Sequence, residues 1–176
     1  MKNIFNKIAV VLLIGGLLSF TSSPMWKLSK GHTISFSGKG VDGIFKKMEA
    51  EINFDEKNLT ASKFTIKIDV NSINTGNALQ NKHAIGADWF DAAKYPFIKF
   101  TTSSIEKTAS GYAAKGKMEV KNKSKEISVP FTFKSTGSTG KFIANFIIKR
   151  SDYGVGESSG DVDDEIKIKT EVQVEK

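Results

Sequence analysis

Cysteine is absent from the 176-residue chain, and proline, histidine and tryptophan are rare. Without cysteine the chain forms no disulfide and offers no thiol for lipid attachment, so its stability must come from a hydrophobic core. The only histidines are His32 and His83, and no G-x-S-x-G or H-E-x-x-H sequence occurs. Nucleophilic and zinc catalysis therefore lack their usual residues. We predict a protein that is not an enzyme and that has no metal site and no cofactor.

Arginine is nearly absent as well, although the chain carries a net charge of +7. Arg150 is the single arginine among 26 basic residues, and the lysines are spread along the chain. Nucleic-acid surfaces favour arginine forks and clustered charge, so we predict no nucleic-acid partner. A lone arginine indicates a need for a planar, bidentate donor. We predict an ion pair with Asp152, Asp163 or Asp164, and contact with a ligand is the alternative.

No apolar run is long enough for a transmembrane helix. Residues 8–18 form an uninterrupted stretch of apolar residues and glycine, preceded by Lys2 and Lys7 and followed by mostly small residues. Eleven residues fall well short of the ~20 that span a bilayer, and the three-part layout is typical of a secretory signal. We predict a signal peptide over 1–23 and one domain over 24–176. The protein is then exported and is periplasmic or secreted.

Alternation of apolar and polar residues dominates the rest of the chain and indicates β-strands. It recurs in eight stretches, at 34–36, 48–54, 64–70, 98–100, 112–120, 127–133, 142–148 and 166–174. Short polar links such as 109–111 and 121–124 predict hairpins and hence antiparallel neighbours. Pro130 cannot donate to a ladder, so we place it at a bulge or at a gap in the pairing. A two-faced antiparallel sheet of this length forms a sandwich or closes into a barrel.

One segment departs from the alternation. Between residues 77 and 95 the apolar side chains recur at roughly helical spacing, and Pro96 ends the segment. We predict one or two short helices between the third and fourth strands, packed against one opening of the barrel.

Several motifs keep fixed spacings along the chain. They occupy residues 26–28, 32–36, 41–45, 69–76, 88–91, 94–96, 116–120, 125–130 and 150–156, with His83 inside the helical insert. Together they resemble the polyisoprenoid-binding, lipocalin-like YceI family over about Trp26 to Val174. In that resemblance residues 41–45 correspond to the turn into the second strand. Residues 84–86 and 123–125 depart from the family pattern, but both are loop changes.

The resemblance implies an all-β fold, an eight-stranded antiparallel lipocalin-like barrel that holds an isoprenoid, a quinone or a fatty-acyl lipid in its lumen. It implies no catalytic residues. A homodimer and a transient contact with a membrane surface are left open as further partners.

Candidate ligand-binding residues follow from the inward faces of the strands. The predicted lumen residues are Phe36, Phe54, Phe64, Ile66, Phe100, Met118, Phe131, Phe133 and Phe146. The insert supplies polar and aromatic candidates for the mouth, where a head group is expected. These are His83, Asp88, Trp89, Phe90 and Tyr95.

The width of the barrel leaves two functions open. An eight-stranded barrel is just wide enough to be filled by side chains or to hold one small ligand. The first function is an extracytoplasmic lipid-binding protein that sequesters or carries a long apolar chain. The alternative is a filled barrel that acts through its surface as a stress-related interaction module without a ligand.

Overall fold

Antiparallel strands account for most of the chain. The structure is a computed structural model that describes residues 25–156 and 161–176. The predicted signal peptide therefore lies outside the described residues. The strands are β1 (Met25–Leu28), β2 (Thr33–Gly38), β3 (Val41–Phe45), β4 (Met48–Asn53), β5 (Lys63–Asp69), β6 (Ile73–Asn74), β7 (Phe97–Thr108), β8 (Gly111–Val120), β9 (Lys123–Thr136), β10 (Thr139–Lys149) and β11 (Glu165–Glu175). One helix, α1 (Ala78–Ala84), and three single 3-10 turns, Leu59–Ala61, Val70–Ser72 and Arg150–Tyr153, complete the described elements.

The eleven strand segments form eight long strands of a closed barrel. β1 and β2 form the first long strand, β3 and β4 the second, and β5 and β6 the third, each interrupted once. β7 to β11 follow as an antiparallel meander. The ring closes because β11 pairs with both β1 and β2. The predicted fold class is confirmed.

Residues 41–45 correct one expectation from the family resemblance. They form strand β3, paired with β2 from Ile34↔Phe45 to Gly38↔Val41, rather than a turn. The tight connection lies earlier, at residues 39–40. The polar Asp42 and the apolar Phe45 then fall on opposite sides of a short strand, which completes the upper part of the barrel.

Ser72 joins the interruption between β3 and β4 to the interruption between β5 and β6. Its buried hydroxyl oxygen accepts hydrogen bonds from the backbone N–H groups of Lys46 (3.1 Å) and Lys47 (3.0 Å). The hydroxyl also donates to the carbonyl of Asp69 at 2.6 Å. The break between β3 and β4 and the turn between β5 and β6 are thereby joined, and the backbone groups that leave the ladder stay satisfied.

A bulge in β7 allows the barrel to bend. The register of β7 against β8 shifts between Thr102 and Ser104. Opposite the bulge, a Cβ atom on Gly116 would lie 2.3 Å from the carbonyl oxygen of Thr101, so only glycine fits there. The buried Thr102 hydroxyl accepts a hydrogen bond from the backbone N–H of Phe64 at 2.9 Å, which joins the bulge to β5.

The ladder between β9 and β10 is incomplete. Their pairing runs from Thr136↔Thr139 to Phe131↔Ala144 and then stops. On the far side of each strand the ladders continue, from β9 to β8 as far as Lys123 and from β10 to β11 as far as Lys149. Pro130 is the first β9 residue beyond the last pair. The predicted gap therefore begins at Pro130, whereas the β8–β9 register passes through it without a bulge.

The interior has two hydrophobic clusters, one at each end of the barrel. We call the first the aromatic end; its buried residues are Trp26, Ile52, Phe54, Phe64, Ile105, Tyr112, Ala114, Phe131, Phe142, Ala144, Val172 and Val174. We call the second the mouth end; its buried residues are Ile34, Phe36, Phe45, Val70, Ile73, Ala92, Ile98, Met118, Val120, Tyr153, Val155 and Ile166. The helical insert 77–95 belongs to the mouth end, between the third and fourth long strands as predicted.

Candidate ligand cavity

A cavity of about 400 Å³ occupies the mouth end and reaches down to the aromatic end. Its wall consists of the inward side chains of the eight long strands, which alternate with outward polar residues. A volume of this size lies at the lower end of the range typical of small-molecule sites. The barrel is therefore filled in its lower part and open above.

Most of the predicted lumen residues lie on this wall. They are Phe36, Phe64, Ile66, Phe100, Met118, Phe131 and Phe146. Phe54 and Phe133 do not line the cavity. Both point inward as expected, but their strands place them one level lower, inside the aromatic end. The part that the wall residues play in ligand binding stays a prediction.

Three phenylalanine rings form the floor of the cavity. Phe64, Phe131 and Phe142 all line it, and their ring centroids are 5.5 to 5.9 Å apart. Phe54 lies beneath and contacts all three rings, at 5.9 Å from Phe64, 5.6 Å from Phe131 and 5.4 Å from Phe142. Phe54 is only 1% exposed, so no space remains behind the floor at this point.

The lower face of the floor is closed by further rings. Phe54 also meets Tyr112 at 5.2 Å and Phe133 at 5.1 Å, both edge to face. Phe133 in turn packs against Trp26, whose indole N–H donates to the carbonyl of Phe54 at 3.1 Å. Edge-to-face contacts of this kind add stabilisation beyond the buried area. The aromatic end is consequently a solid plug.

At the other end, helix α1 brings polar side chains to the rim. Gln80 and His83, which are exposed, and Thr75, which is half-buried, all line the cavity. The side chain of Asn77 caps the helix by accepting from the N–H groups of Leu79 and Gln80. Asn81 accepts from both the backbone and the hydroxyl of Thr75, at 2.8 and 2.9 Å. These bonds fix the rim, because they tie α1 to the end of β6.

The predicted mouth residues divide into two groups. His83, Trp89 and Phe90 lie on the cavity wall. Asp88 and Tyr95 do not line it. The chain beyond α1 forms successive turns rather than a second helix, with Phe90 N–H donating to Ala84 and Ala92 N–H to Ile85. These turns direct Ala92 inward and leave Asp88 exposed, its carbonyl accepting from Gly156 N–H at 3.0 Å.

Arg150 is buried beside the mouth and joins residues 150–156 to residues 161–164; we use the word loop for these two described stretches. Its guanidinium donates to the carbonyls of Val155 (2.9 Å), Val162 (2.9 Å) and Asp163 (3.0 Å). It also lies 5.5 Å from the ring centre of Trp89. The planar fork that the lone arginine indicated is therefore used on main-chain carbonyls.

The three carboxylates proposed as partners of Arg150 have partners of their own. Asp164 accepts from the backbone N–H and the hydroxyl of Ser151, and these bonds, with smaller contributions from Arg150 and Lys149, lower the pKa of its carboxyl. Asp163 accepts from Lys39 N–H at 2.8 Å. Asp152 forms an ion pair with Lys125.

Tyr153 and Val155 reach the wall through this loop, and the sequence analysis missed both. Burial raises the pKa of the Tyr153 phenol, with a further contribution from Asp152, so that this wall residue stays neutral. Val162 reaches the wall from the other side of the loop. No alternation marks these positions, because the loop is held in place by Arg150 rather than by a ladder. Gln80 could have been found, since it lies one helical turn before His83.

Two classes of feature are absent from residues 25–156 and 161–176. No three histidine, aspartate or glutamate side chains come together as a metal site. No helix in the same ranges is long and apolar enough to cross a bilayer.

Comparisons with known proteins agree with this architecture. Residues 26–174 match the model of the YceI-like domain. A UPF0312 protein of Yersinia enterocolitica is 26% identical, with 93% of this chain and 94% of that protein covered.

Solved structures give the same result. BcnA of Burkholderia cenocepacia is 33% identical, with a TM-score of 0.76 over 81% of this chain and 95% of that chain. A YCEI protein of Campylobacter jejuni is 28% identical, with a TM-score of 0.70 over 78% and 85% of the two chains. A polyisoprenoid binding domain from Saccharophagus degradans, implicated in plant cell wall breakdown, shares the fold at 15% identity and a TM-score of 0.63, with 86% of this chain and 97% of that chain covered. The chain belongs to the family of YceI-like domains.

Proposed function

We propose that this protein is an extracytoplasmic lipid-binding protein that sequesters or carries one long apolar chain, an isoprenoid or a similar lipid. The observation that carries the proposal is the shape of the cavity. It is blind at the aromatic end and lined by Ile, Val, Phe and Met along its length, and its exposed polar rim carries Gln80 and His83.

Such a shape favours a ligand with an apolar tail and a polar head. The tail enters first and lies between the strands, while the head remains at the rim near Thr75, Gln80 and His83. Each buried methylene contributes ~0.8 kcal/mol, so a tail of several methylenes supplies the affinity without a strong polar contact. Quinones and fatty-acyl lipids have the same division into head and tail.

One of the comparisons adds support. The barrel of the Saccharophagus degradans domain, described as polyisoprenoid binding, has the same fold. At 15% identity this likeness extends to the fold alone, so its ligand class is carried over only as a proposal.

Binding without catalysis is part of the proposal. The wall of the cavity carries no carboxylate, and Asp88, the one acid among the predicted mouth residues, does not line it. We expect Asp88→Asn to leave lipid uptake unchanged. The filled-barrel alternative would need an interior without a cavity of this size.

The first 23 residues have the layout of a secretory signal, and this layout supports a proposal about the compartment. We propose export to the periplasm or the medium; a homodimer and a transient membrane contact stay predictions. Cell fractionation combined with the intact mass of the purified protein tests export. A protein found in the cytoplasm with residues 1–23 still attached would contradict it.

The decisive experiment is native mass spectrometry of the protein purified from its own host, followed by organic extraction. We expect an isoprenoid or acyl species that leaves on denaturation. A protein without bound lipid, which also takes none up from added isoprenoid lipids, would overturn the proposal.

Two neighbouring residues on β10 provide a matched pair of variants. Phe146 lies on the cavity wall, whereas the next residue, Ile147, points outward and is 56% exposed. We expect Phe146→Lys to abolish lipid uptake, because it places an ammonium group in the apolar cavity, and Ile147→Lys to leave uptake unchanged. Equal uptake by both folded variants would contradict the position of the ligand.

A further inference from the structure

The cavity ends at one level of the barrel on several neighbouring strands. On β9 and β10 the wall residues Phe131 and Phe142 are the lowest, and the next inward aromatic, Phe133, is off the wall. On β4 and β8 the wall stops at Ile52 and Ala114. Phe54, which follows β4, and Tyr112 of β8 lie below. The depth of the cavity is therefore set by a layer of side chains rather than by one residue.

That layer is rigid. The Phe64, Phe131 and Phe142 rings contact one another, and Phe54 supports all three from below. A ring that moved down would have to displace Phe54, which is 1% exposed and is held by three further partners. These are the rings of Tyr112 and Phe133 and the indole N–H of Trp26. Interiors packed in this way do not yield gradually, because they lack space for side chains to shift.

Just above the layer, β10 contributes a small residue to the wall. Ala144 is the next inward residue of β10 after Phe142, and it pairs in register with Phe131. Successive inward residues on a strand are about 7 Å apart. A larger side chain at Ala144 would therefore raise the floor by roughly one level, whereas loss of the Phe142 ring would lower it.

We propose that Phe64, Phe131 and Phe142 act as a ruler that sets the longest apolar chain the protein holds fully buried, with Ala144 defining the width just above it. This inference rests on the proposed lipid-binding function. Affinity rises with each methylene until the tail reaches the floor, and beyond that length additional methylenes remain in water at the rim. Below the limit, each methylene raises the affinity about four-fold.

The test is a series of straight-chain alcohols from decanol to eicosanol, measured by displacement of a fluorescent apolar probe. For the wild-type protein we expect affinity to rise by about four-fold per methylene and then to level off at a defined length. We expect Ala144→Leu to move that length to shorter alcohols and Phe142→Ala to move it to longer ones.

Trp26→Leu is the control. It removes a ring from the same aromatic end, but one that does not line the cavity and that contacts Phe133 rather than the three floor rings. We expect it to lower the stability while the limiting length stays at the wild-type value. Chemical denaturation of each variant verifies that it is folded, and Ala144→Leu alone tests the ruler if Phe142→Ala does not fold.

Different results of this experiment would overturn the proposed function and the ruler. If no alcohol of the series displaces the probe from wild-type protein, lipid binding and the ruler are both overturned. If it binds the series with a limit that neither Ala144→Leu nor Phe142→Ala moves, only the ruler is overturned.

Discussion

The aromatic end and the mouth end are built on the same eight strands, yet one is solid and the other holds a cavity. At the aromatic end, aromatic rings from β5, β8, β9 and β10 extend into the barrel and meet on Phe54. At the mouth end the inward residues are mainly Ile, Val and Met, which reach less far. The same alternation of inward and outward residues therefore gives either result, and the size of the inward side chains decides which.

The two ends also differ in what borders them. Strand pairing and ring contacts close the aromatic end. Loops border the mouth end, where α1 and the turns after it meet the loop held by Arg150. The stability of the barrel and its access to ligand are thus assigned to opposite ends of the molecule.

The sharpest test of this contrast compares one phenylalanine from each end. We expect Phe54→Ala to lower the free energy of unfolding by about 3–5 kcal/mol, because the deletion leaves a cavity in a packed interior. Phe90→Ala should cost roughly 1–2 kcal/mol, since the Phe90 ring already borders open space. Urea denaturation measures both, and equal costs would remove the distinction between the ends.

Arg150→Lys examines the loop closure. The substitution keeps the charge but loses the planar fork, so carbonyls of Val155, Val162 and Asp163 lose donors in a buried place. We expect a loss of about 2 kcal/mol in the free energy of unfolding. Lys149→Ala, at the exposed neighbouring residue, serves as the control and should be nearly neutral. A cost within 0.5 kcal/mol of that control, roughly the noise of a surface substitution, would refute the role of Arg150.

The pH dependence of the stability that Tyr112 contributes is a test of the packing at the aromatic end. Burial, followed by the hydrogen bond to Glu56 at 2.7 Å, raises its pKa from 10.0 to about 12. A raised pKa in the folded state means that the phenol's contribution is complete below pH 10.0 and is lost as the pH rises towards 12. Tyr112→Phe should lower the free energy of unfolding by about 1 kcal/mol at neutral pH, because it removes this hydrogen bond.

The difference in the free energy of unfolding between wild type and Tyr112→Phe should then narrow through the alkaline range, because the variant has no Tyr112 phenol to ionise. Denaturation curves of the two proteins at matched pH values measure it, and lysine titration cancels in the comparison. A difference that stays constant across that range would show that the phenol does not ionise differently in the folded protein.

The smallest effect is expected at the surface of the mouth end. Lys125 pairs with Asp152 across the side of β9, and both side chains are exposed to solvent. We expect Lys125→Met to change the free energy of unfolding by less than about 1 kcal/mol and the wild type to respond only weakly to salt. A larger cost would mean that this ion pair, rather than Arg150, holds the turn to the barrel.

Alternation was sufficient to predict the strands, because the period of two is a local property of each strand. It did not predict the interruptions at 29–32, 46–47 and 70–72. The hydroxyl of Ser72 satisfies the amides of Lys46 and Lys47, and such a bond joins residues that are far apart in the sequence. The residues around Lys46 in the sequence therefore do not indicate this hydrogen bond.

The sequence predicted which side chains face the interior, but it did not predict how deep in the barrel each of them lies. Phe54 and Phe133 face inward as the alternation indicates, but their height in the barrel depends on how each strand is shifted against its neighbours. Val155 and Val162 were missed for a different reason, since the carbonyl bonds of Arg150 place their loop. The fork of the lone arginine was foreseen, whereas its main-chain partners were not.

The unfinished ladder between β9 and β10 has a mechanical consequence. A closed ring of ladder hydrogen bonds acts as a hoop, because its circumference changes only if bonds break. From Phe131 and Ala144 down to Thr136 and Thr139 the ladder between β9 and β10 is unbroken, so these two strands keep a fixed spacing beside the aromatic end. Above Phe131 and Ala144, β9 and β10 can separate without losing a bond between them, so the mouth end can dilate around a thicker or branched chain while the plug keeps its dimensions.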